Sequence, residues 1–203
     1  MEESLPTLFV HVYLKLFFVL TPFFAMSSFL SLTAQEDDRT RRKLALKVTV
    51  AVLVIAFLLY FFGRQIFAVF GITLNAFRIG AGVLLLLSAV NLVQGRAEKP
   101  PAAGAEDVAV VPLAIPVIVG PATTGVLLVM GAEAEALAVR VVNLAALGAA
   151  VVTVGLLLYA AVRVERWIGE TGLRILSKLT GLVLASLAAQ IIFTGLRHFL
   201  RAE

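Results

Sequence analysis

Cysteine is absent from the 203 residues, which excludes disulfides, thiolate metal sites and cysteine nucleophiles together. Histidine occurs only as His11 and His198, near opposite ends of the chain, too sparse for an imidazole metal centre. Neither a metal nor another cofactor is therefore expected. Charged residues make up 15% of the chain, and none of its carboxylates falls deep inside an apolar stretch. Glu36, Asp37, Asp38, Glu98, Glu106, Asp107, Glu133 and Glu135 all lie in expected loops or near segment ends, so a buried carboxylate proton relay lacks a candidate. Patterns such as G-x-S-x-G, H-E-x-x-H and the phosphate-cradling P-loop are missing, and no enzyme activity is expected.

What is present is apolar. The hydrophobic fraction is 61% and mean hydropathy is +1.01, against roughly 45–50% apolar in soluble domains, so the chain reads as an integral membrane protein. The start, MEESLP, carries acidic residues where a secretory signal carries lysine or arginine, and the first apolar run is expected to be a retained helix. The sequence pI of about 9.8 does not point to nucleic acid, because the basic residues sit at segment ends, where they orient spans in a bilayer.

Six segments have the roughly 20 apolar residues a span requires: Leu5 to Thr33, Leu44 to Val69, Leu74 to Gln94, Val108 to Gly131, Leu137 to Arg163 and Leu173 to Leu200. A polar, Pro/Gly/Ala-containing stretch over 95–107 divides a first three-helix repeat, 1–94, from a second, 108–203. The halves match at an offset close to 100: Pro22 with Pro121, LLY at 58–60 with LLY at 157–159, and RIGAGVLL from Arg78 with KLTGLVLA from Lys178. Three spans per half give the repeats inverted topology. The fold expected is thus all-α and membrane-spanning, with six transmembrane helices in two inverted three-helix repeats and proline-broken first and fourth helices.

Arg39, Arg41, Arg42, Lys43, Lys47, Arg96, Lys99, Arg163, Arg166 and Arg174 collect on one side, against Arg64, Arg140, Arg197 and Arg201 on the other. This places the first, third and fifth loops in the cytoplasm and both termini outside.

The two proline interruptions carry the functional reading. Proline inside a membrane helix removes a backbone hydrogen bond and clashes with the preceding turn, and paired broken helices in corresponding halves point to a transporter's binding site. In the second half, Gly120 allows unusual backbone angles and Pro121 suits the first position of a new helix, whose free N–H groups and positive end would attract a carboxylate. Thr123 and Thr124 offer hydroxyls beside it; a tolerated kink with threonines bonded to their own helix is the alternative. In the first half the corresponding residues are Thr21 and Pro22, with Ser27, Ser28 and Ser31 beyond. Arg78 and Lys178 occupy similar positions near span starts and serve as anchors or as gates, with Glu165 or Glu170 as ionic partners. Asn91 and Gln190 are polar groups that bond either a solute amine or a neighbouring helix, and Lys15 is read as an interfacial anchor.

At these residues the chain resembles the MarC family of bacterial and archaeal inner-membrane proteins. The motifs are FFVLTPFFAMSSFLSLT (17–33), FGITLNAFRIGAGVLLL (70–86), VVPLAIPVIVGPATT (110–124) and TGLRILSKLTGLVLASLAAQIIFTGL (171–196). Where the family usually has Asn-Pro or Asp-Pro this chain has Thr21-Pro22, and where it has GPG this chain has Gly120-Pro121-Ala122. The resemblance implies a multi-pass protein of the inner (plasma) membrane, a class often described as transporters of small neutral amino acids. Residues and resemblance converge on Thr21, Pro22, Gly120, Pro121, Thr123 and Thr124 as the substrate-binding set of a secondary transporter or exporter. Its partners would be a small-molecule substrate, the lipid bilayer and a coupling ion, Na+ or H+, with homo-oligomers open. The alternative is a non-transporting membrane scaffold or regulatory subunit.

Overall fold

The computed structural model describes residues 4–96 and 109–200, and all of its regular structure is helical. The first apolar segment is two helices, α1 (Leu5–Val19) and α2 (Pro22–Leu32), which break where Pro22 cannot donate to the preceding turn. Next come α3 (Asp38–Phe70) and α4 (Leu74–Gln94). The residues around Pro112 and Pro116 wind more widely as a π-helical segment (Ala109–Ile118), and the chain restarts as α5 (Pro121–Glu133). It continues as α6 (Leu137–Tyr159) and α7 (Ala161–Leu200), the latter kinked at Gly169, whose φ of 71° suits glycine.

The long helices α1, α3, α4, α6 and α7 are apolar on both their buried and their exposed faces. Along α3, Ala45, Val48, Val52, Ala56 and Tyr60 are buried, while Leu46, Val50, Val54 and Leu58 are each more than half exposed. A soluble helix presents a polar outer face; one apolar all round belongs in lipid. Trp167, 91% exposed on the short arm before the Gly169 kink, suits the headgroup level, where tryptophan is enriched. Among the described residues, five helical stretches are long and apolar enough to cross a membrane: Leu5–Leu32, Asp38–Gly63, Leu74–Gln94, Leu137–Tyr159 and Ala161–Leu200. The expected fourth span is not among them, because Pro112, Pro116 and Pro121 divide it into pieces too short to cross singly. Most of the expected linker 95–107, with Lys99, lies outside the described residues, as does Arg201.

Asp37 caps α3 by accepting from the Thr40 N–H at 3.0 Å, and this hydrogen bond holds its carboxyl below the usual carboxylate value. The helix begins six residues before its apolar run, so Arg39, Arg41, Arg42 and Lys43 stand on its first turns. Arg41 and Arg42 meet Arg163 and Arg166 from the start of α7 around one recess, Arg39, Arg42 and Lys43 line a second beside Tyr159, and the Arg42 guanidinium lies 5.4 Å from the Tyr159 ring centroid. We call this the basic end. Arg78, Glu133 and Arg140 lie at the far end, where Tyr60 and Gly63 of α3 pack against Gly131 and Leu128 of α5.

The packing partners alternate along the chain. α1 lies on α6 and the π-helical segment on α3; α2 lies on α7 and α4 on α5; the α4–α7 contact is the most extensive. That contact is reciprocal. A Cβ added to Gly82 would stand 3.2 Å from the Ala188 carbonyl oxygen, and one added to Gly181 would stand 2.9 Å from that of Ala89. Small residues are what allow membrane helices to approach so closely.

Candidate functional site

The two helix breaks meet. Thr123, in the first turn of α5, is buried, and its hydroxyl is within donating distance of two carbonyls: Val19, the last residue of α1, at 3.2 Å and Ile118, the last of the π-helical segment, at 3.1 Å. Both carbonyls lost their intrahelical donors when a proline ended the helix. One side chain therefore ties both interruptions into one crossing.

The first intrahelical bonds after the breaks are Ala25 N–H to Thr21 O and Thr124 N–H to Gly120 O, each 2.9 Å. The N–H groups of Phe23 and Phe24, and of Ala122 and Thr123, precede these turns and have no acceptor within their own helices. α2 leads from the crossing to the cavity at the basic end and α5 to the Arg78–Glu133 pair at the far end, so both helices begin, with their positive ends, at the crossing. Such an arrangement favours an anionic group.

The breaks differ in backbone. Thr21 is left-handed, at φ 47° and ψ 57°, an outlier for a β-branched residue. Gly120 has φ −82° and ψ −179°, angles any residue adopts. The unusual angles expected of Gly120 are therefore not used, and its lack of a side chain serves a close approach: a Cβ would stand 2.8 Å from the Pro116 carbonyl oxygen. Thr21→Asn replaces a strained residue with one that tolerates this region, and should stabilise the protein by about 1 kcal/mol. An unchanged or lower midpoint in thermal unfolding in detergent would contradict the strain.

Of the six residues expected to bind substrate, Pro22 and Thr123 are buried, Thr21, Gly120 and Thr124 half-buried, and Pro121 exposed. The accessory residues fare differently. Arg78 bonds Glu133 of α5 through Nε at 2.8 Å and Nη2 at 2.6 Å, and Nη1 bonds Asn75 at 2.7 Å. Its partner is Glu133, and neither Glu165 nor Glu170. Lys178, Asn91 and Gln190 are exposed on the outer surface of α7 and α4, away from the crossing. Pairing Arg78 with Lys178 assumed an interval of 100. The buried faces repeat at 99 instead, Ala81, Gly82, Leu85 and Ala89 against Thr180, Gly181, Leu184 and Ala188, so Ser177 stands in the place of Arg78. The same interval of 99 separates Pro22 from Pro121, LLY at 58–60 from LLY at 157–159 and Gly82 from Gly181 in the sequence.

From the basic end a cavity of about 750 Å³ enters between α2, the start of α3, the end of α4 and α7. Leu92, Leu173, Ser28 and Ser177 are buried in its wall, whereas Ser31, Gly95, Glu170 and Arg174 stand exposed at its rim. Phe24, one turn past the Thr21 break, also lines it, and none of the six crossing residues does. Ser177 is bonded to the Leu173 carbonyl at 2.9 Å, and Arg174 lies 3.4 Å from Glu170. Ser28 is only 4% exposed, and the half-buried Glu165 carboxylate has no ion partner among the described residues. Ser28 was legible only as one of three serines near a span end; Glu133 and the cavity carried no signal in the sequence.

Residues 6–200 match the family model described as MarC family integral membrane protein. A UPF0056 membrane protein of Methanocaldococcus jannaschii is 33% identical over 93% of this chain and 96% of its own length. Another from Aquifex aeolicus is 29% identical over 98% and 97%, and one from Escherichia coli 26% identical over 91% and 90%. No solved structure matches the chain significantly.

Proposed function

This chain belongs to the MarC family of integral membrane proteins, and we propose that it is a secondary transporter or exporter of a small solute. The observation that carries the reading is the Thr123 hydroxyl bonded to the last carbonyl of each broken helix. Non-helical backbone at membrane depth is tolerated where it is enclosed by protein or lines a water-filled path, and paired breaks mark the midplane site of transporters.

The solute we infer is a neutral amino acid. Two helix N-termini suit its carboxylate, and the cavity that leads toward them offers Ser28 and Glu165 to its ammonium group. The architecture proposed has six spans in two inverted halves, 1–94 and 108–203, with both termini outside the plasma membrane. Its support is the exchange of partners, α1 on α6 with the π-helical segment on α3, and the reciprocal Gly82–Ala188 and Gly181–Ala89 approaches at an interval of 99. The halves would rock about the crossing to alternate access.

Uptake of labelled alanine, glycine and serine into proteoliposomes, with and without sodium and proton gradients, tests the proposal. Saturable uptake that a Pro121→Leu variant abolishes is the expected result. No uptake of any of the three under any gradient, by folded protein, would remove the amino acid as solute and leave another solute or the scaffold reading.

A further inference from the structure

We propose that the Arg78–Glu133 pair is the lock that shuts the far end, and that the structure is the conformation open at the basic end, through the cavity beside α2 and α7. The proposal rests on the transport reading and adds the residues that set which face is open.

Three observations meet here. First, an ion pair spans the far end: Arg78 on the first turns of α4 holds Glu133 on the last turn of α5 with two short contacts, its side chain only 14% exposed. Asn75 holds a further nitrogen of the guanidinium, so its direction is set. Lys15, from α1, lies within electrostatic reach of both partners. Second, the basic end carries the cavity, whose wall includes the buried residues Ser28 and Ser177.

Third, the interval of 99 relates the two ends residue by residue. It sets Ser177 in the place of Arg78, Ala34 in that of Glu133 and Arg174 in that of Asn75. Ser177, Ala34 and Arg174 all line the cavity. The same positions that are bolted by an ion pair at the far end are thus the open wall at the basic end, where a hydroxyl and a methyl cannot form one. Two inverted halves in one chain must differ somewhere for one face to be favoured, and this is where they differ. In a rocking mechanism, opening the far end closes the basic end.

The absence of cysteine makes the test direct. Ser27, half-buried in the cavity wall, is replaced by cysteine in the full chain, and its reaction rate with a small charged methanethiosulfonate is measured. The thiol should react readily. Adding Glu133→Gln, which removes the lock, should slow the reaction about fivefold or more as the population moves to the far-side-open state. The exchanged pair, Arg78→Glu with Glu133→Arg, should restore the rate and shows that the single variant is not simply misfolded. A Ser27→Cys thiol that does not react overturns the open cavity, and an unchanged rate in Glu133→Gln overturns the lock. These readings need no transport. A rate that shifts as expected while uptake is absent upholds the lock and removes the solute assignment; the reverse result does the opposite.

Discussion

Gly131→Ala should be among the most destabilising single substitutions in this protein, at about 3 kcal/mol, the upper part of the range for overpacking. A Cβ on Gly131 of α5 would fall on the backbone carbonyl of Tyr60 in α3, and one on Gly63 of α3 would fall on the carbonyl of Leu128 in α5. Each helix therefore uses a glycine to admit the other's backbone. A clash with a rotatable side chain is cheap to relieve, but both obstacles here are helical carbonyls, which move only if the helices separate. Separation would forfeit the contacts of Leu127 and Met130, buried in the same core as Tyr60. Gly80 is the control. It is helical with nothing within 4 Å of an added Cβ, so Gly80→Ala should stabilise by up to about 1 kcal/mol through helix propensity. Thermal unfolding of both variants in detergent decides the matter. If Gly131→Ala unfolds alongside Gly80→Ala, α3 and α5 do not approach this closely.

The second large effect is expected at the crossing. Thr123→Val keeps the shape of the side chain and removes the donor that serves the carbonyls of Val19 and Ile118. Leaving a buried acceptor unmade costs about 1–3 kcal/mol. If the break geometry is what solute and rocking both depend on, that cost corresponds to a loss of uptake of roughly ten- to hundredfold. Thr123→Ser retains the hydroxyl and should keep most of the activity, which separates loss of the hydrogen bond from disturbance of packing. Wild-type uptake by Thr123→Val would dissociate the crossing from function. A loss shared by Thr123→Ser would assign the effect to the methyl group's packing.

The expected substrate set and the observed crossing coincide in part, and the differences are informative. Thr123 was read as a hydroxyl for the solute, yet its single proton is taken up by two backbone carbonyls, so its contribution is to hold the breaks together. Thr21, where the resembling family usually has asparagine or aspartate, adopts the strained left-handed conformation that asparagine would accept readily. Asn91 and Gln190 were chosen for being polar in apolar spans; both face outward. One-dimensional pattern does not tell an inward polar residue from an outward one when the surrounding face is apolar on both sides.

By itself the sequence determined the membrane as this protein's solvent, because an apolar fraction of 61% leaves no polar face for water. It determined the helix breaks, since a proline without an N–H interrupts a helix in any fold, and it carried the family motifs. Only the tertiary structure decided that the two breaks touch, that Arg78 pairs with Glu133 across 55 residues of chain, and that a cavity enters beside α2 and α7. Those features depend on the register between α4 and α7 and on the approach of backbones at glycines. Contacts between distant segments set both, and apolar sequences satisfy many registers almost equally well.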